Sequence, residues 1–299
     1  MDATTDIRVA ITGARGRLGA TLCSAYATRF KVIPLRRVEL DLSRPSTISR
    51  RLEGFDFDVL INCAAVTDVD YCERNPEEAT AVNADSVSAL ADACVHRNAR
   101  LIQVSTDYVF SGSDPQPRRE VDRVGPLNVY GHLKARSEAV ALSVSKANIV
   151  ARVSWLFGAA KRSFLDQIIQ CALTQERVSA IADKWSSPTY TSDLAGWLVP
   201  FITRAVSGGG LYHLANAGGC SWREYGQHGL DCAANHGLPL KARTVDPMRL
   251  ADMKTFIAPR PIHTVLATEK LAGILGKSPR PWQDAVAEFV GESVRNGRW

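Results

Sequence analysis

Three glycines at a spacing of three, Gly13-x-x-Gly16-x-x-Gly19, separate a short β-branched run over residues 7–11 from a segment of helical pattern over about 20–29. A strand, a glycine turn and a helix in that order constrain the fold more than any other feature of the chain. The first glycine permits the tight turn, the second lets backbone approach a phosphate group, and the third lets the helix lie against the strand. The same alternation continues downstream. Residues 31–35, 58–63, 100–105 and 147–153 read as strands, and 58–63 is almost unbroken apolar, as expected of a parallel strand buried on both faces. Helical patterns fall near 48–52, 76–96 and 129–145, the first with Ser43 as its N-cap and Pro45 in its opening turn. A short third strand is expected before Asp41-Leu42. The order predicts right-handed crossovers and an α/β fold built on a doubly wound parallel sheet. Beyond about residue 155 the alternation loosens, and Gly and Pro gather at 208–210, Pro259 and Pro261. The division expected is a dinucleotide-binding domain over 1–155 and a smaller lobe over 156–299 covering the carboxyl edge of the sheet. A stretch near 180–210 is expected to return to the first domain.

Composition excludes other classes. The 299 residues are 45% hydrophobic and 22% charged, which rules out a disordered or collagenous chain. The formal charge of +5 is spread without a run of like charges; it suits a phosphate-bearing ligand or simply a mixed surface. No basic stripe with interleaved aromatics points to nucleic acid. The seven cysteines are scattered without a Cys-x-x-Cys pair or a histidine at zinc spacing, so free thiols and no metal are expected. Asp2, Asp6, Arg8, Arg15 and Arg17 interrupt any secretory apolar stretch, and nothing approaches the ~18–20 apolar residues of a membrane helix. A cytoplasmic protein is expected, with homodimer formation left open.

A helix that opens on glycine offers free N–H groups and the positive end of its dipole to phosphates, so Gly13, Arg15, Gly16, Arg17 and Gly19 are read as a dinucleotide site. No Gly-Lys-Ser/Thr follows, which argues against a nucleoside-triphosphate loop. The end of the second strand distinguishes the dinucleotides. An acid there would accept from the ribose 2′-hydroxyl of NAD, but Arg36 and Arg37 occupy the position and can pair with a 2′-phosphate. NADP(H) is therefore expected in preference to NAD(H), with Asp41 and Leu42 at the adenine.

Tyr130 and Lys134 stand one helical turn apart on one face. A phenol of ordinary pKa about 10 is a poor proton donor at neutral pH, and a neighbouring ammonium favours its ionised form. Ser105-Thr106-Asp107 ends a strand at the carboxyl edge of the sheet, where a hydroxyl can donate to a carbonyl oxygen becoming an alkoxide. Thr106 and Asp107 are the candidates; the alternative is that Ser105 and Asp107 merely close a loop.

The segments Ser105-Thr106-Asp107-Tyr108-Val109-Phe110, Pro126-Leu127-Asn128-Val129-Tyr130-Gly131 with Lys134 and Glu138, and Arg152-Val153-Ser154-Trp155 resemble the extended short-chain dehydrogenases. Within them the likeness is to the dTDP-4-dehydrorhamnose reductase branch. It extends over nearly the whole chain through Asn62-Cys63-Ala64-Ala65 with Thr67, Asp70, Glu73 and Pro76, then Val82-Asn83, Pro188-Thr189, Gly210-Leu211-Tyr212-His213-Leu214 and Arg260-Pro261. The resemblance implies a Rossmann fold and a reductase of a nucleotide-linked, dTDP-type 4-keto-6-deoxy sugar. It assigns catalysis to Thr106, Tyr130 and Lys134. Cofactor positions would be Gly16, Arg17, Leu18, Asp41, Leu42, Ala64, Ala65 and Thr67, joined by Tyr130 and Lys134. On the substrate side stand Thr106, Asp107 and Trp155, with Arg260 either on the substrate diphosphate or simply solvated.

This chain departs from that pattern at three places. Arg36 stands where an acid is often found, which again points to NADP. Ala20-Thr21 follows Gly19 where some members carry an acid that serves a metal-linked dimer, so no metal is expected. Asp183-Lys184-Trp185-Ser186-Ser187-Pro188 and Leu266-Ala267-Thr268-Glu269-Lys270 replace the usual Gln-x-Gly before Pro-Thr and the acid or amide after Leu, both in the lobe that selects the sugar. Two rival readings accompany the resemblance. One is a nucleotide-sugar epimerase or dehydratase that keeps its nicotinamide. The other is a non-catalytic NADP-binding subunit resembling the methionine adenosyltransferase regulatory protein.

Overall fold

The computed structural model describes residues 6–299, so Asp2 lies outside the described residues. The first half runs β1 (Arg8–Thr12), α1 (Arg17–Tyr26), β2 (Lys31–Leu35), α2 (Ile48–Leu52), β3 (Val59–Asn62), α3 (Val69–Arg74), α4 (Pro76–Thr80), α5 (Ser86–His96), β4 (Arg100–Thr106), α6 (Val129–Val144) and β5 (Ile149–Val153). The second half runs β6 (Leu156–Phe157), α7 (Phe164–Thr174), β7 (Val178–Ile181), β8 (Trp185–Ser186), β9 (Thr189–Tyr190), α8 (Thr191–Ile202), β10 (Gly210–His213), β11 (Cys220–Ser221), α9 (Trp222–Asn235), β12 (Val245–Met248), α10 (Glu269–Leu275) and α11 (Trp282–Arg295).

Six strands form one parallel sheet in the order β10-β5-β4-β3-β1-β2. Chain order reverses between β1 and β3, which opens a crevice beyond their carboxyl ends, where such folds bind ligands. Successive residues of β1 serve opposite faces. Val9 and Ile11 pack with Leu18 and Leu22 of α1 and Leu194, Leu198 and Phe201 of α8. Ala10 packs with Ile48 of α2, Leu90 of α5 and Ala141 of α6. Because both faces are covered, every residue of β3 and of β5 is buried, which explains why they are apolar apart from Asn62 and Arg152. A separate core joins α7, α9 and α11 around Phe157, Ile169, Tyr225 and Phe289. The chain between them rejoins the sheet: α8 packs on α1, and β10 pairs with β5.

Several local expectations are corrected. No third strand follows β2. The carbonyl of Arg36 accepts from the N–H groups of Glu39 and Leu40, closing a turn with Val38 in solvent, and β2 is the sheet edge. The serine–threonine–aspartate segment therefore closes the fourth strand, not the fifth. Helix α1 begins at Arg17, because Gly16 itself is the N-cap. Ser43 caps nothing; its N–H and hydroxyl both donate to Asp41, and Pro45 opens a 3₁₀ turn instead. The stretch expected as one helix over 76–96 is divided by a π-turn at Ala81–Asp85, whose Asn83 clamps the loop after β3 through both the N–H and the carbonyl of Val66. Helix α3 has no clear sequence signal beyond its N-cap Asp68.

The glycine turn is as tight as its spacing implies. Gly13 has φ +62° with backbone of Ala64 3.0 Å from where a Cβ would stand, and a Cβ on Gly19 would overlap the Gly13 carbonyl. Gly19→Ala should therefore cost about 1–3 kcal/mol in urea denaturation, the scale of overpacking. Gly196→Ala, inside α8 with open space around it, should be neutral or gain ~0.5–1 kcal/mol.

Candidate active site

A cleft of about 550 Å³ lies beyond the carboxyl ends of β1, β3, β4 and β5, between the sheet and the α7/α9 core. Its floor is a run of side-chain hydrogen bonds across three strands. The Thr12 hydroxyl donates to Asn62 Oδ1 at 2.6 Å, Asn62 Nδ2 donates to Gln103 Oε1 at 2.8 Å, and Gln103 Nε2 donates to the Val104 carbonyl at 2.9 Å. That carbonyl also accepts from Lys134 Nζ at 2.6 Å. Neither Asn62 nor Gln103 stood out in the sequence as a functional residue, because a lone amide in a strand carries no spacing signal.

Lys134 and Tyr130 reach the cleft from the first turns of α6. Asn128 caps that helix by accepting from Gly131 N at 2.8 Å, and Glu73 of α3 accepts from Val129 N at 3.0 Å. Tyr130, Leu133, Lys134, Ser137 and Glu138 form its buried stripe. Burial pulls the Lys134 ammonium down to about 8, against the pull of Glu138 in the other direction. The Tyr130 phenol moves opposite to the expectation. Burial pushes it above its ordinary value; the Thr106 hydroxyl works against that rise, and Lys134 is not among the groups that shift it. Desolvation of the charged form is the dominant cause, and the ammonium on the next turn is directed at the Val104 carbonyl.

Thr106 accepts from Tyr108 N at 3.2 Å and donates to Asp107 Oδ1 at 3.1 Å. Asp107 is 2% exposed, and its other oxygen accepts from the hydroxyls of Ser186 at 2.8 Å and Thr264 at 2.6 Å. Although it lines the cleft, its carboxylate is thus committed to three hydroxyls from three parts of the chain. Ser105 turns away and donates to Glu138, which is bound by the Arg152 fork at 2.8 and 2.6 Å in a fully enclosed ion pair. Trp155 stands at φ +38°, a left-handed conformation that a non-glycine residue holds only under constraint from its surroundings.

Gly16, Arg17, Leu18, Ala64, Ala65, Thr67, Thr106, Asp107, Tyr130, Lys134 and Trp155 all line this one cleft. At its mouth α1 starts without a side-chain cap, leaving the N–H groups of its first turn for a phosphate, so the residues present fit a dinucleotide. Arg17 crosses the cleft and donates to the carbonyl of Arg162 at 2.6 Å. Other expected residues stay outside. Arg15 is exposed, and Arg36 and Arg37 lie at the end of β2 on Glu39 and Asp41, at 2.9 and 3.4 Å. Leu42 is buried in the sheet core with Leu35 and Ile48. Arg260 does not reach the cleft either. Its guanidinium pairs with Asp70 at 2.8 Å and lies over the Phe256 ring, and Asp70 also accepts from the N–H groups of Ile257 and Ala258.

A family model described as the RmlD substrate binding domain matches residues 7–295. The dTDP-4-dehydrorhamnose reductase of Mycolicibacterium smegmatis is 35% identical over 299 residues, covering 96% of this chain and 87% of that protein. The protein of the same name from Aggregatibacter actinomycetemcomitans is 32% identical over 285 residues, covering 93% and 97%. Among solved structures, the dTDP-4-dehydrorhamnose reductase of Bacillus anthracis in complex with NADP is similar at TM-score 0.87 and 29% identity, over 98% of this chain and all of that one.

The Glu138–Arg152 pair holds α6 to β5 directly beneath the cleft. Glu138→Ala leaves a guanidinium buried without its partner and should cost about 3–5 kcal/mol in urea denaturation. Arg177→Ala breaks the exposed pair with Asp246 and should cost under ~1 kcal/mol.

Proposed function

The chain belongs to the family of the RmlD substrate binding domain, and on that premise we propose that it is an NADP(H)-dependent reductase of a nucleotide-linked 4-keto-6-deoxy sugar, as the dTDP-4-dehydrorhamnose reductases are by name. One observation carries the reading: Thr106, Tyr130 and Lys134 share a cleft with the uncapped helix that follows the glycine turn. A bound reduced nicotinamide supplies the hydride. The chain's residues supply the rest. Tyr130, held protonated by its burial, gives its proton to the sugar oxygen as that oxygen gains charge, and Thr106, turning its one hydroxyl proton away from Asp107, donates a hydrogen bond to the same atom. Lys134 is an ammonium below about pH 8; it is fixed by the Val104 carbonyl, with its remaining donors available to a ribose. Asp107, Trp155 and Arg260 are assigned to the substrate side. Arg260 acts there by holding the 256–260 segment to α3 through Asp70.

The lobe selecting the sugar is residues 156–299, less the stretch of α8 and β10 that rejoins the sheet. All seven cysteines are free thiols, which suits the reducing cytoplasm where we place the enzyme. The epimerase or dehydratase alternative asks for a further acid–base group beside Thr106. Asp107 is the nearest candidate, and its carboxylate is already taken by three hydroxyls. The regulatory-subunit alternative would be favoured by absence of turnover with every nucleotide keto-sugar.

Tyr130→Phe should slow hydride transfer, followed as NADPH oxidation with a dTDP-4-keto-6-deoxy sugar, by ~10²–10⁴. NADPH affinity by fluorescence titration should barely change; full activity would remove Tyr130 from the reaction. For the cofactor, Arg36 must exchange Glu39 for a 2′-phosphate. Arg36→Ala should weaken NADPH binding by about 10- to 100-fold, the worth of charge-assisted hydrogen bonds, and NADH binding by under ~2-fold. Equal losses would argue that NADP is not preferred.

A further inference from the structure

Lys184 has no part in the reaction above, yet it is one of the largest enclosed side chains of the chain, 0% exposed. An ammonium in that setting needs partners for three N–H donors. Among the described residues one oxygen lies within hydrogen-bond distance, the Pro261 carbonyl at 2.8 Å. Two aromatic rings also face it. Its Nζ lies 5.1 Å from the centroid of the Tyr108 ring and 5.7 Å from that of Trp155, both within reach of a cation–π attraction. The two charges that act on it are Asp107, which favours the ammonium, and Arg260, which opposes it.

The rings it touches are walls of the cleft, and Lys184 itself does not line it. Trp155 is the residue held in the left-handed conformation, with Trp222 5.6 Å away on centroids. Tyr108 meets Tyr130 edge-on at 5.9 Å. Ser186, two residues on, ties the same segment to Asp107 at 2.8 Å. Both residues fall in the 183–188 segment where this sequence leaves the family pattern.

We propose that Lys184 is a positioning residue for the sugar wall: its enclosed ammonium fixes the Trp155 and Tyr108 rings from behind, and so sets the affinity for the keto-sugar and not the rate of the chemical step. The inference rests on the reductase reading for its substrate. The geometry it describes belongs to the free protein. Lys184 loses its proton as pH rises through about 8, because burial lowers its ordinary value. The attraction to the rings is therefore present below that pH and lost above it. Lys134 titrates in the same range, so only a change removed by substitution at 184 belongs to Lys184.

Two readouts test this in the full chain. The first is near-ultraviolet circular dichroism of the free protein from pH 6.5 to 9.5. Wild type should show a transition with its midpoint near 8 whose amplitude Lys184→Met and Trp155→Phe both reduce. The second is KM and kcat for the dTDP-4-keto-6-deoxy sugar at saturating NADPH. Lys184→Met, and Lys184→Gln, which keeps a donor for Pro261 but no charge, should each raise KM ~10-fold at pH 7 with kcat within ~2-fold. The rise of KM above pH 8 in wild type should flatten in both. A dichroic transition whose amplitude is undiminished in Lys184→Met overturns the proposal, as does an unchanged KM in both variants. Absence of turnover by wild type would sink the reductase reading, while the dichroism would still decide whether Lys184 holds the rings.

Discussion

A carboxylate almost sealed from water joins the two halves of this chain. Asp107 directly follows β4, and the hydroxyls that satisfy it come from Thr106 beside it, Ser186 on β8 and Thr264 on the returning segment. A buried carboxylate left with fewer donors would carry an uncompensated desolvation cost, so each of those segments is held where its hydroxyl can reach. Trp185 donates its N–H to the Ile262 carbonyl and Thr264 returns the bond to Trp185, so the two lobe segments close on each other as they close on Asp107. The ends of the sheet strands are otherwise linked by amides and hydroxyls, from Thr12 through Asn62 and Gln103 to Lys134.

What the sequence made legible was local and periodic. The apolar runs of β3 and β5, the glycine turn and the one-turn spacing of Tyr130 and Lys134 each express a rule spanning a few residues, and each appears in the structure as strand, turn and helix face. What it hid was partnership over distance. Arg260 reads as a free cation until Asp70, 190 positions away, occupies its fork. Lys184 stands out in the sequence only as part of a departure from the family pattern, and its enclosure depends on Pro261, Tyr108 and Trp155. The missing third strand failed for a different reason. A run of two arginines and an exposed valine after β2 has strand-like composition, but a turn at Arg36 consumes the backbone bonds that a strand would need.

Two lysines flank the cleft, both buried and both drawn down to about 8 by the loss of water, yet their settings differ. Lys134 faces open space and has donors to spare for a ligand, whereas Lys184 is shut in by rings. Burial alone therefore does not distinguish a group that meets substrate from one that shapes the wall behind it. The atoms on the far side of each ammonium do, and those are fixed by tertiary contacts.

The sixth strand also governs when the fold can exist at all. β10 comes from residues 210–213, after α7, α8 and four short strands have been laid down, and it covers the free side of β5 in register from Gly210 against Ile149 to His213 against Arg152. During synthesis the sheet must wait for some sixty residues beyond β5 before that edge is closed. Until then a strand that is apolar apart from Arg152 offers unpaired N–H and C=O groups to any neighbouring chain. The enzyme's vulnerable moment is thus on the ribosome rather than in the finished molecule, and a fragment ending at β5 should aggregate sooner than it folds.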